Sequence, residues 1–425
     1  MKRVIIYIFA ILLLPGYSLG QSLSIEELWQ QAKTSIGSQQ KDVELASKRQ
    51  EELVLRNNRL PLVYGDVNLQ RNIIIPTTPV PAIAFDPNAQ EGAILPLKFA
   101  TKWNSRAGVQ LEWDIFNPSK NADLNKARIE TKRAILNQEL ALIQWKKDAT
   151  LAYCASVLAS EQYKLALEDS ITQASLVKIM NTRFEEGREK QTDLFAAFQE
   201  MERKIIQRHE AWSVLMETDL DLRKMLANQN LTHLSSDLSS IQNLLEKERF
   251  PDQQLELLQL DQQLATYEIR ETKLAKLPTI TLNGFFGAQF FSNEFDLFER
   301  NHWYGNSFAN IGVKIPISAY FTNSASVKKS QLQEQLTVLK IREQEIEEAT
   351  KDKKTAAKIW SAKQKIAGLE RIVDLAEKEK NLQLEGVQIG RTIPTEYYRA
   401  NHSWIAAKKE LWQAEFDLVQ VLLKQ

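Results

Sequence analysis

The sequence predicts a mainly α-helical chain with a membrane β part, arranged as two tandem repeats that each contain two strands and long coiled-coil helices. Three observations favour this fold class. Two very long segments contain almost no Pro or Gly, four short segments alternate apolar and polar residues, and several residue pairs recur at a nearly constant distance along the chain. The chain has 425 residues, which is long enough for two or three domains.

Residues 1–20 have the composition of a secretory signal peptide. Lys2 and Arg3 form a short positive region, residues 4–14 are apolar, and residues 18–20 supply small side chains for a signal peptidase. The apolar run is too short to span a bilayer as an anchor. No Cys lies near the predicted cleavage point after residue 20, so lipid attachment at a new N-terminal Cys is not expected.

Charge and cysteine content restrict the class of protein. Without Lys2 and Arg3 the chain keeps 52 basic residues against 54 acidic ones, and this near neutrality argues against a nucleic-acid-binding surface. Cys154 is the only cysteine, so an internal disulfide is excluded, and packing and assembly must stabilise the exported chain. After residue 20 no segment is apolar enough for a transmembrane helix, which leaves a soluble protein or a β-barrel.

Matched residue pairs indicate an internal duplication. Gly108-Val109 recurs as Gly312-Val313 at a distance of 204 residues, and Gly187-Arg188 recurs as Gly390-Arg391 at a distance of 203. A repeat of this length is too long for a solenoid unit, so a duplicated domain is the better interpretation. Repeat 1 is predicted over 21–228, with strands near 61–72 and 105–116 and long helices over 119–186 and 192–228. A linker or equatorial segment follows over 229–250. Repeat 2 is predicted over 251–425, with strands near 278–291 and 307–318 and long helices over 324–385 and 394–424.

Alternation of apolar and polar residues defines the strands. Over about ten residues this pattern fits a membrane strand with lipid on one face and water on the other. A soluble antiparallel sheet with one buried face would show the same alternation. Four strands cannot close a barrel of useful bore, and open edges in lipid leave backbone groups unpaired, so membrane strands would have to come from several chains. The predicted lipid-facing residues are Val109, Leu111, Trp113, Ile115, Ile280, Leu282, Ile311, Val313 and Ile315.

The long helices carry a heptad pattern. Residues 119–186 contain no Pro or Gly, so these 68 residues could form one helix of about 100 Å. Residues 324–385 are similar, with only Gly368 inside. Apolar and small residues recur in steps of three and four from Ala149 to Phe184, which predicts a coiled-coil seam with close helix approach.

This combination resembles the TolC family of outer-membrane efflux proteins over nearly all of the exported chain. The resemblance rests on residues 183–187 followed by Thr192-Asp193-Leu194, and on their second copy at residues 390–396. It implies a homotrimer in which each protomer gives four strands to a 12-stranded β-barrel. It further implies that this barrel continues as a periplasmic α-helical barrel, and that the protein lies in the outer membrane of a Gram-negative bacterium and spans into the periplasm.

The resemblance also implies a gate at the periplasmic tip, where the two hairpins close the tunnel and meet an adaptor. In the family, acidic residues often ring this entrance: Glu396 matches the first such position and Asp193 is its first-repeat counterpart, whereas Arg399 replaces the next acid. Helix capping is an alternative role for both acids. The gate or adaptor-contacting residues are then Gly187, Thr192, Asp193, Gly390, Arg391, Thr395, Glu396 and Arg399.

The implied function is a passive exit duct for a periplasmic adaptor (membrane fusion protein) and an inner-membrane pump, in an efflux or type I secretion system. The outer-membrane lipid is a further partner, and no nucleic acid is expected. The alternative is a periplasmic coiled-coil adaptor or scaffold, which the four alternating strands disfavour. No phosphate-binding Gly loop is present. His209, His233, His302 and His402 are scattered without metal-ligand spacing, so no enzyme, cofactor or metal site is predicted.

Three further expectations concern helix starts and loops. Ser24 with Glu27 predicts a capping box, and Asp252 is expected to begin the helix that opens the second repeat. Residues 73–104 and 292–306 should be extracellular loops. The aromatic residues of the second loop, expected as interfacial belt residues, are Phe295, Phe298, Trp303 and Tyr304.

Overall fold

The computed structural model describes residues 22–226 and 233–424. Across these ranges the chain is mostly helical with a smaller β part, as predicted. The predicted signal peptide, the end of the predicted 192–228 helix and residues 229–232 of the predicted linker lie outside the described residues. Among the helices of the described ranges, none is long and apolar enough to cross a membrane.

The helices and strands follow one another in a pattern that occurs twice. The helices are α1 (Ile25–Gln30), α2 (Ile36–Asn57), α3 (Pro118–Glu185), α4 (Gln191–Met225), α5 (Leu238–Lys247), α6 (Gln254–Leu274), α7 (Ile317–Gln388) and α8 (Pro394–Leu422). The strands are β1 (Ser22–Leu23), β2 (Leu62–Arg71), β3 (Thr78–Pro81), β4 (Ile94–Leu97), β5 (Trp103–Phe116), β6 (His233–Leu234), β7 (Thr279–Ser292) and β8 (Trp303–Lys314). Each half of the chain therefore has a helix, two long strands, a very long helix and a shorter helix.

The chain divides into two compact units. The first consists of Met1–Val43, Leu136–Gln254 and Glu343–Gln425, and the second of Glu44–Ile135 and Leu255–Arg342. The second unit contains the four long strands, and the first contains both turns that separate the long helices. Each unit draws on both halves of the sequence.

The four long strands form one antiparallel sheet in the order β2-β5-β7-β8. The central pair joins a strand of the first half to a strand of the second, with Val109 opposite Phe286. Within the described residues, β2 and β8 each pair on one side only. This sheet therefore has two edge strands, and the N–H and C=O groups on their outer sides have no partner strand within the described residues.

The strand register separates apolar and polar side chains onto opposite faces, because directly opposed residues of neighbouring strands share a face. Leu111 lies opposite Val63 on one side and Gly284 on the other, whereas Glu112 lies opposite Asn283. The predicted residues that this register places on the apolar face are Val109, Leu111, Trp113, Ile280, Leu282, Ile311 and Val313.

Two residues that were predicted to face lipid, Ile115 and Ile315, lie outside the regular strand pairing of the sheet. The β5 register shifts between Asp114 and Phe116, so Phe116 lies opposite Ile280 and Ile115 is the extra residue of a bulge. Ile315 lies outside the sheet, because β8 ends at Lys314 and the following Pro316 has no N–H for a further ladder bond. The long helix α7 consequently begins at Ile317 rather than at residue 324, and β8 begins at Trp303 rather than near 307.

A helical core lies in the first unit. Within the predicted linker, α5 is an amphipathic helix: Leu238, Ile241 and Leu245 are buried against a cluster that includes Leu418 and Val419. Such burial supplies most of the stability of a short helix. The cluster also contains Ala149, Tyr153 and Cys154 of α3.

Hydrogen bonds at the edge of this core confirm two predicted helix starts. Ser24 and Glu27 form the reciprocal capping box, with Glu27 N–H donating to Ser24 Oγ at 3.2 Å and Ser24 N–H donating to Glu27 Oε2 at 2.9 Å. The Asp252 carboxylate accepts the N–H of Gln254, the first residue of α6, at 3.2 Å. Burial raises the pKa of the Cys154 thiol to about 12, so this cysteine is an inert packing residue.

Candidate functional site

The turn after α3 is built around Gly187. Its φ of 72° is the left-handed conformation that side chains with a Cβ resist. The Gly187 N–H donates to the Phe184 carbonyl at 2.9 Å, and the Arg188 N–H donates to the Arg183 carbonyl at 2.8 Å. These two bonds make a Schellman ending, which satisfies carbonyls at the end of the helix and turns the chain back.

The turn after α7 repeats this arrangement. Gly390 has a φ of 76°, its N–H donates to the Val387 carbonyl at 3.1 Å, and the Arg391 N–H donates to the Gly386 carbonyl at 2.8 Å. Each of these four positions lies 203 residues after its counterpart in the first turn. The matched pairs found in the sequence therefore correspond to matched backbone turns.

The two returning helices begin with an acid in their first turn. Lys190 and Ile393 are the N-cap residues of α4 and α8, and neither side chain makes a capping hydrogen bond. Asp193 and Glu396 each occupy the third helical position, and Pro394 occupies the first, where its missing N–H costs nothing. The acids therefore suit the positive end of the helix dipole without closing a hydrogen-bonded cap.

The two acids differ in their electrostatic surroundings. The Glu396 carboxylate lies 2.5 Å from the guanidinium of Arg399, one turn further along α8. Among the described residues, Asp193 has no side-chain hydrogen bond or ion pair, and its side chain is half-buried. Glu396 is thus charge-compensated within its own helix, whereas the negative charge of Asp193 stays available. Thr192, Arg391 and Thr395 are exposed beside them.

A side chain links the ends of the two long helices. Arg183 of α3 donates from Nη2 to the carbonyl of Gln388, the last residue of α7, at 2.6 Å. A positive group is favourable at this C-terminal end, where carbonyls lack helical partners. A Cβ on Gly390 would lie 3.7 Å from the same guanidinium, so the arginine packs directly over the second turn. Arg183 belongs to the sequence motif of residues 183–187, but the sequence did not predict this contact.

Further along the helices lies a polar and ionic cluster, which we call the Lys204 cluster (Asp169, Glu200, Lys204, Asn401 and His402). All of these side chains except the exposed His402 are buried. Lys204 Nζ lies 2.9 Å from Asp169 Oδ2 and 3.3 Å from Glu200 Oε1. Asn401 donates to Asp169 at 2.7 Å, and His402 Nε2 lies 3.1 Å from Glu200 Oε1. The cluster therefore connects α3, α4 and α8. The spacing of four residues between Glu200 and Lys204 in the sequence is typical of an ion pair within one helix. The sequence did not predict that these side chains are buried or that they have partners on other helices.

Two tyrosines of α8 extend this contact region toward the turn. Gln173 of α3 donates to the hydroxyl of Tyr398 at 3.1 Å and to the Ala197 carbonyl at 3.1 Å. Burial raises the pKa of the Tyr397 and Tyr398 phenols, so both stay neutral at physiological pH. The N-terminal halves of α4 and α8 are thus both hydrogen-bonded to α3, and α4 is also joined to α3 by the Lys204–Asp169 ion pair.

The polar face of the sheet carries its own network. Tyr64 donates to Glu112 at 2.6 Å, and Gln110 donates to the same carboxylate at 3.0 Å. Arg106 pairs with Asp66, and its guanidinium lies 4.8 Å from the centre of the Phe285 ring. Hydrogen-bonded ionic groups of this kind suit a face in contact with water.

Comparison of the whole chain with solved structures identifies its fold. The outer membrane protein VceC from Vibrio cholerae superposes with a TM-score of 0.73 at 12% sequence identity, covering 94% of this chain and 94% of that one. The fold is that of the TolC-type outer-membrane channels. Two further TolC-type structures agree: the CmeC outer membrane channel of Campylobacter jejuni (TM-score 0.73, 15% identity, 94% and 84% covered) and the open state of the MtrE outer membrane channel of Neisseria gonorrhoeae (0.69, 14%, 94% and 87%).

Sequence comparison alone does not reach this similarity. No protein-family model matches the chain, and no curated protein matches it. In the TolC-type fold of this chain, the predicted gate residues gather at two equivalent turns, and seven predicted lipid-facing residues gather on one face of the sheet. The contact of Arg183 with Gln388 and the Lys204 cluster are neighbouring features that the sequence did not predict.

Proposed function

We propose that this protein is the outer-membrane channel of a multicomponent efflux or type I secretion system in a Gram-negative bacterium. The single observation that carries the proposal is the TolC-type fold, which covers 94% of the chain and 94% of VceC. In this role the protein passively conducts substrates from a periplasmic adaptor and an inner-membrane pump to the exterior. It carries no catalytic chemistry, and the pump supplies the energy.

The sheet supports a membrane location. Val67, Phe286 and Ile311 lie on its apolar face and are 78%, 77% and 66% exposed. Large apolar patches are costly in water, whereas lipid covers them without penalty. The polar network of Glu112, Arg106 and their partners lies on the opposite face, where a water-filled lumen would solvate it. A soluble adaptor or scaffold would have to cover the apolar face by some other means.

The outer strands β2 and β8 support a homotrimer. A sheet edge in lipid leaves N–H and C=O groups unpaired, at a cost of several kcal/mol each. Three protomers that each give two tandem repeats of two strands would form a 12-stranded barrel and remove every edge. The long helices would then continue the barrel as a periplasmic helical tunnel. Val109, Leu111, Trp113, Ile280, Leu282, Ile311 and Val313 would face lipid.

The two helix turns would form the periplasmic gate and adaptor contact. The exposed turn residues surround an uncompensated acid, Asp193, and a compensated one, Glu396. Three protomers would bring six such acids to one entrance. The Lys204 cluster and Arg183 would hold each protomer's helix ends in the closed arrangement until the pump complex engages.

Fractionation, native gels and planar bilayers test this function together. The mature protein should be found in the outer-membrane fraction, run as a heat-sensitive trimer in mild detergent, and produce discrete conductance steps. A variant with Leu111→Arg should lose membrane assembly while a Gln110→Arg variant keeps it. A protein that stays soluble and monomeric after detergent removal would contradict the proposal.

A further inference from the structure

We propose that the loop between β7 and β8 binds a divalent transition-metal ion of the Zn²⁺ class through Asp296, Glu299 and His302. Each residue offers one ligand atom, and these atoms all lie within 4.8 Å of one another. This site lies far along the chain from the gate residues and is independent of the proposed channel function. The sequence did not indicate it, because the turns that group the three side chains are formed only in the folded loop.

The backbone of the loop brings the three side chains together. Glu299 N–H donates to the Asp296 carbonyl at 2.9 Å, and His302 N–H donates to the Glu299 carbonyl at 3.4 Å. Arg300–His302 form a short 3₁₀ turn. Each of the two hydrogen bonds joins residues three apart and closes a tight turn, so the two successive turns bring the three ligand groups together. The arrangement needs no contribution from distant parts of the chain.

Neighbouring aromatic residues hold the imidazole in position. The ring of Phe290, which is fully buried, meets His302 edge-on with 6.2 Å between ring centres. Trp303 donates its indole N–H to the Leu297 carbonyl at 2.7 Å, which closes the loop over its own first residues. A ligand set held in place before binding loses less conformational entropy when the ion arrives.

Unsatisfied polar atoms indicate that a cation belongs here. Nδ1 of His302 lies 2.5 Å from Oδ2 of Asp296, but the two atoms are not aligned for a hydrogen bond. Nδ1 of His302 and Oδ1 of Asp296 are both closed off from solvent and without a hydrogen-bond partner. Polar groups that are closed off from solvent and stay unpaired are unfavourable, because they lose the hydrogen bonds that water would give them. Coordination to a cation would satisfy both.

The donor set selects the kind of ion. One imidazole nitrogen with two carboxylates suits Zn²⁺ and its neighbours among the transition metals, whereas Ca²⁺ prefers six to eight oxygen ligands. The two carboxylates balance the double positive charge when the imidazole is neutral. Glu299 is exposed, so the site keeps an open side for entry and for a bound water as the fourth ligand.

The test measures metal binding on the full mature protein in detergent, purified through a tag that contains no histidine. Titration calorimetry with Zn²⁺ should give one ion per chain, and Co²⁺ should produce visible absorption bands that Zn²⁺ displaces. His302→Gln and Asp296→Asn should weaken Zn²⁺ binding by at least about tenfold, the lower end of what loss of supporting groups around a metal costs. Circular dichroism checks that each variant remains folded.

Two further variants keep the result interpretable. Glu299→Gln changes an exposed side chain, so the fold should persist while Zn²⁺ binding weakens. His209→Gln removes an exposed histidine of α4 and should leave binding unchanged. Failure of the wild-type protein to bind one ion per chain, or binding by the His302→Gln and Asp296→Asn variants that is as tight as in the wild type, would overturn the proposal. Neither outcome bears on channel activity, which is measured separately.

Discussion

The ammonium of Lys204 lies 2.9 Å from the carboxylate of Asp169, and only 2% and 6% of the two side chains are exposed. Lys204→Met would leave Asp169 as a buried carboxylate without its cation, whereas Glu200 would keep its ion pair with Arg203. Loss of one partner of a buried ion pair costs about 3–5 kcal/mol. We therefore expect a clearly lower melting temperature, measured by circular dichroism of the helices.

A surface pair provides the control for this change. Lys164 lies 2.7 Å from Glu161, and both side chains are about half exposed. Lys164→Met should cost no more than about 1 kcal/mol, because exposed ion pairs are weak and screened. Equal melting temperatures for the two variants would mean that the Lys204 cluster does not stabilise the helices.

The left-handed turn residues give a second prediction. Gly390→Ala places a Cβ on a residue with a φ of 76° and should destabilise the protein by about 1–2 kcal/mol. Gly368→Ala should instead stabilise the protein by about 0.4–1 kcal/mol. This glycine lies within a helix, and a Cβ added there would meet open space. Chemical denaturation of the paired variants measures both. Two changes of the same sign would contradict the assigned turn.

The gate acids give a third prediction. Asp193→Asn combined with Glu396→Gln should change single-channel conductance or its cation preference in planar bilayers, while the trimer stays intact. Because Arg399 compensates Glu396, Asp193→Asn alone should account for most of the effect. Glu210→Gln, an exposed acid further along α4, is the control.

The pairing of Glu396 with Arg399 can also be tested by removing the cation instead of the acid. Arg399→Gln frees the Glu396 carboxylate and should increase cation preference. Channels whose conductance and selectivity are the same in all these variants would show that the acids act only on the helix dipole and that the constriction lies elsewhere.

The strand faces give a fourth prediction. Leu111→Arg should cost about 2–4 kcal/mol if the residue lies near the middle of the bilayer. Gln110→Arg adds the same side chain on the polar face, beside Glu112, and should be mild. Folding of both variants into lipid vesicles, followed by denaturant titration, compares them. Equal costs would mean that the sheet lies outside a membrane.

Glu415 of α8 gives a prediction about pH. Burial raises the pKa of this carboxyl above its usual value, and the nearby Glu370 and Asp237 add to the effect. The folded protein therefore binds the proton more tightly than the unfolded chain, so stability falls as the pH rises from the ordinary glutamate value through the raised pKa. Glu415→Gln should raise the melting temperature at neutral pH and flatten this dependence. Glu410→Gln, an exposed acid on the same helix, should leave the curve unchanged.

The sequence by itself determined the features that depend on near neighbours in the chain. The capping box of Ser24 and Glu27 and the glycine turns at Gly187 and Gly390 follow from local hydrogen bonding and backbone freedom. The strand faces follow from the period of two, which places alternate side chains on opposite sides whatever the partner strand. These local rules were sufficient to predict a mainly helical chain with a smaller β part and the two glycine turns.

Only the tertiary structure decided the features that depend on residues far apart in the chain or on exact strand ends. The bulge at Ile115 depends on the pairing of β5 with β7, and the burial of Lys204 depends on Asp169, which lies on another helix. The contact of Arg183 with the end of α7 likewise joins residues more than two hundred positions apart. The grouping of Asp296, Glu299 and His302 needs the two successive turns of the folded loop, which the sequence did not predict.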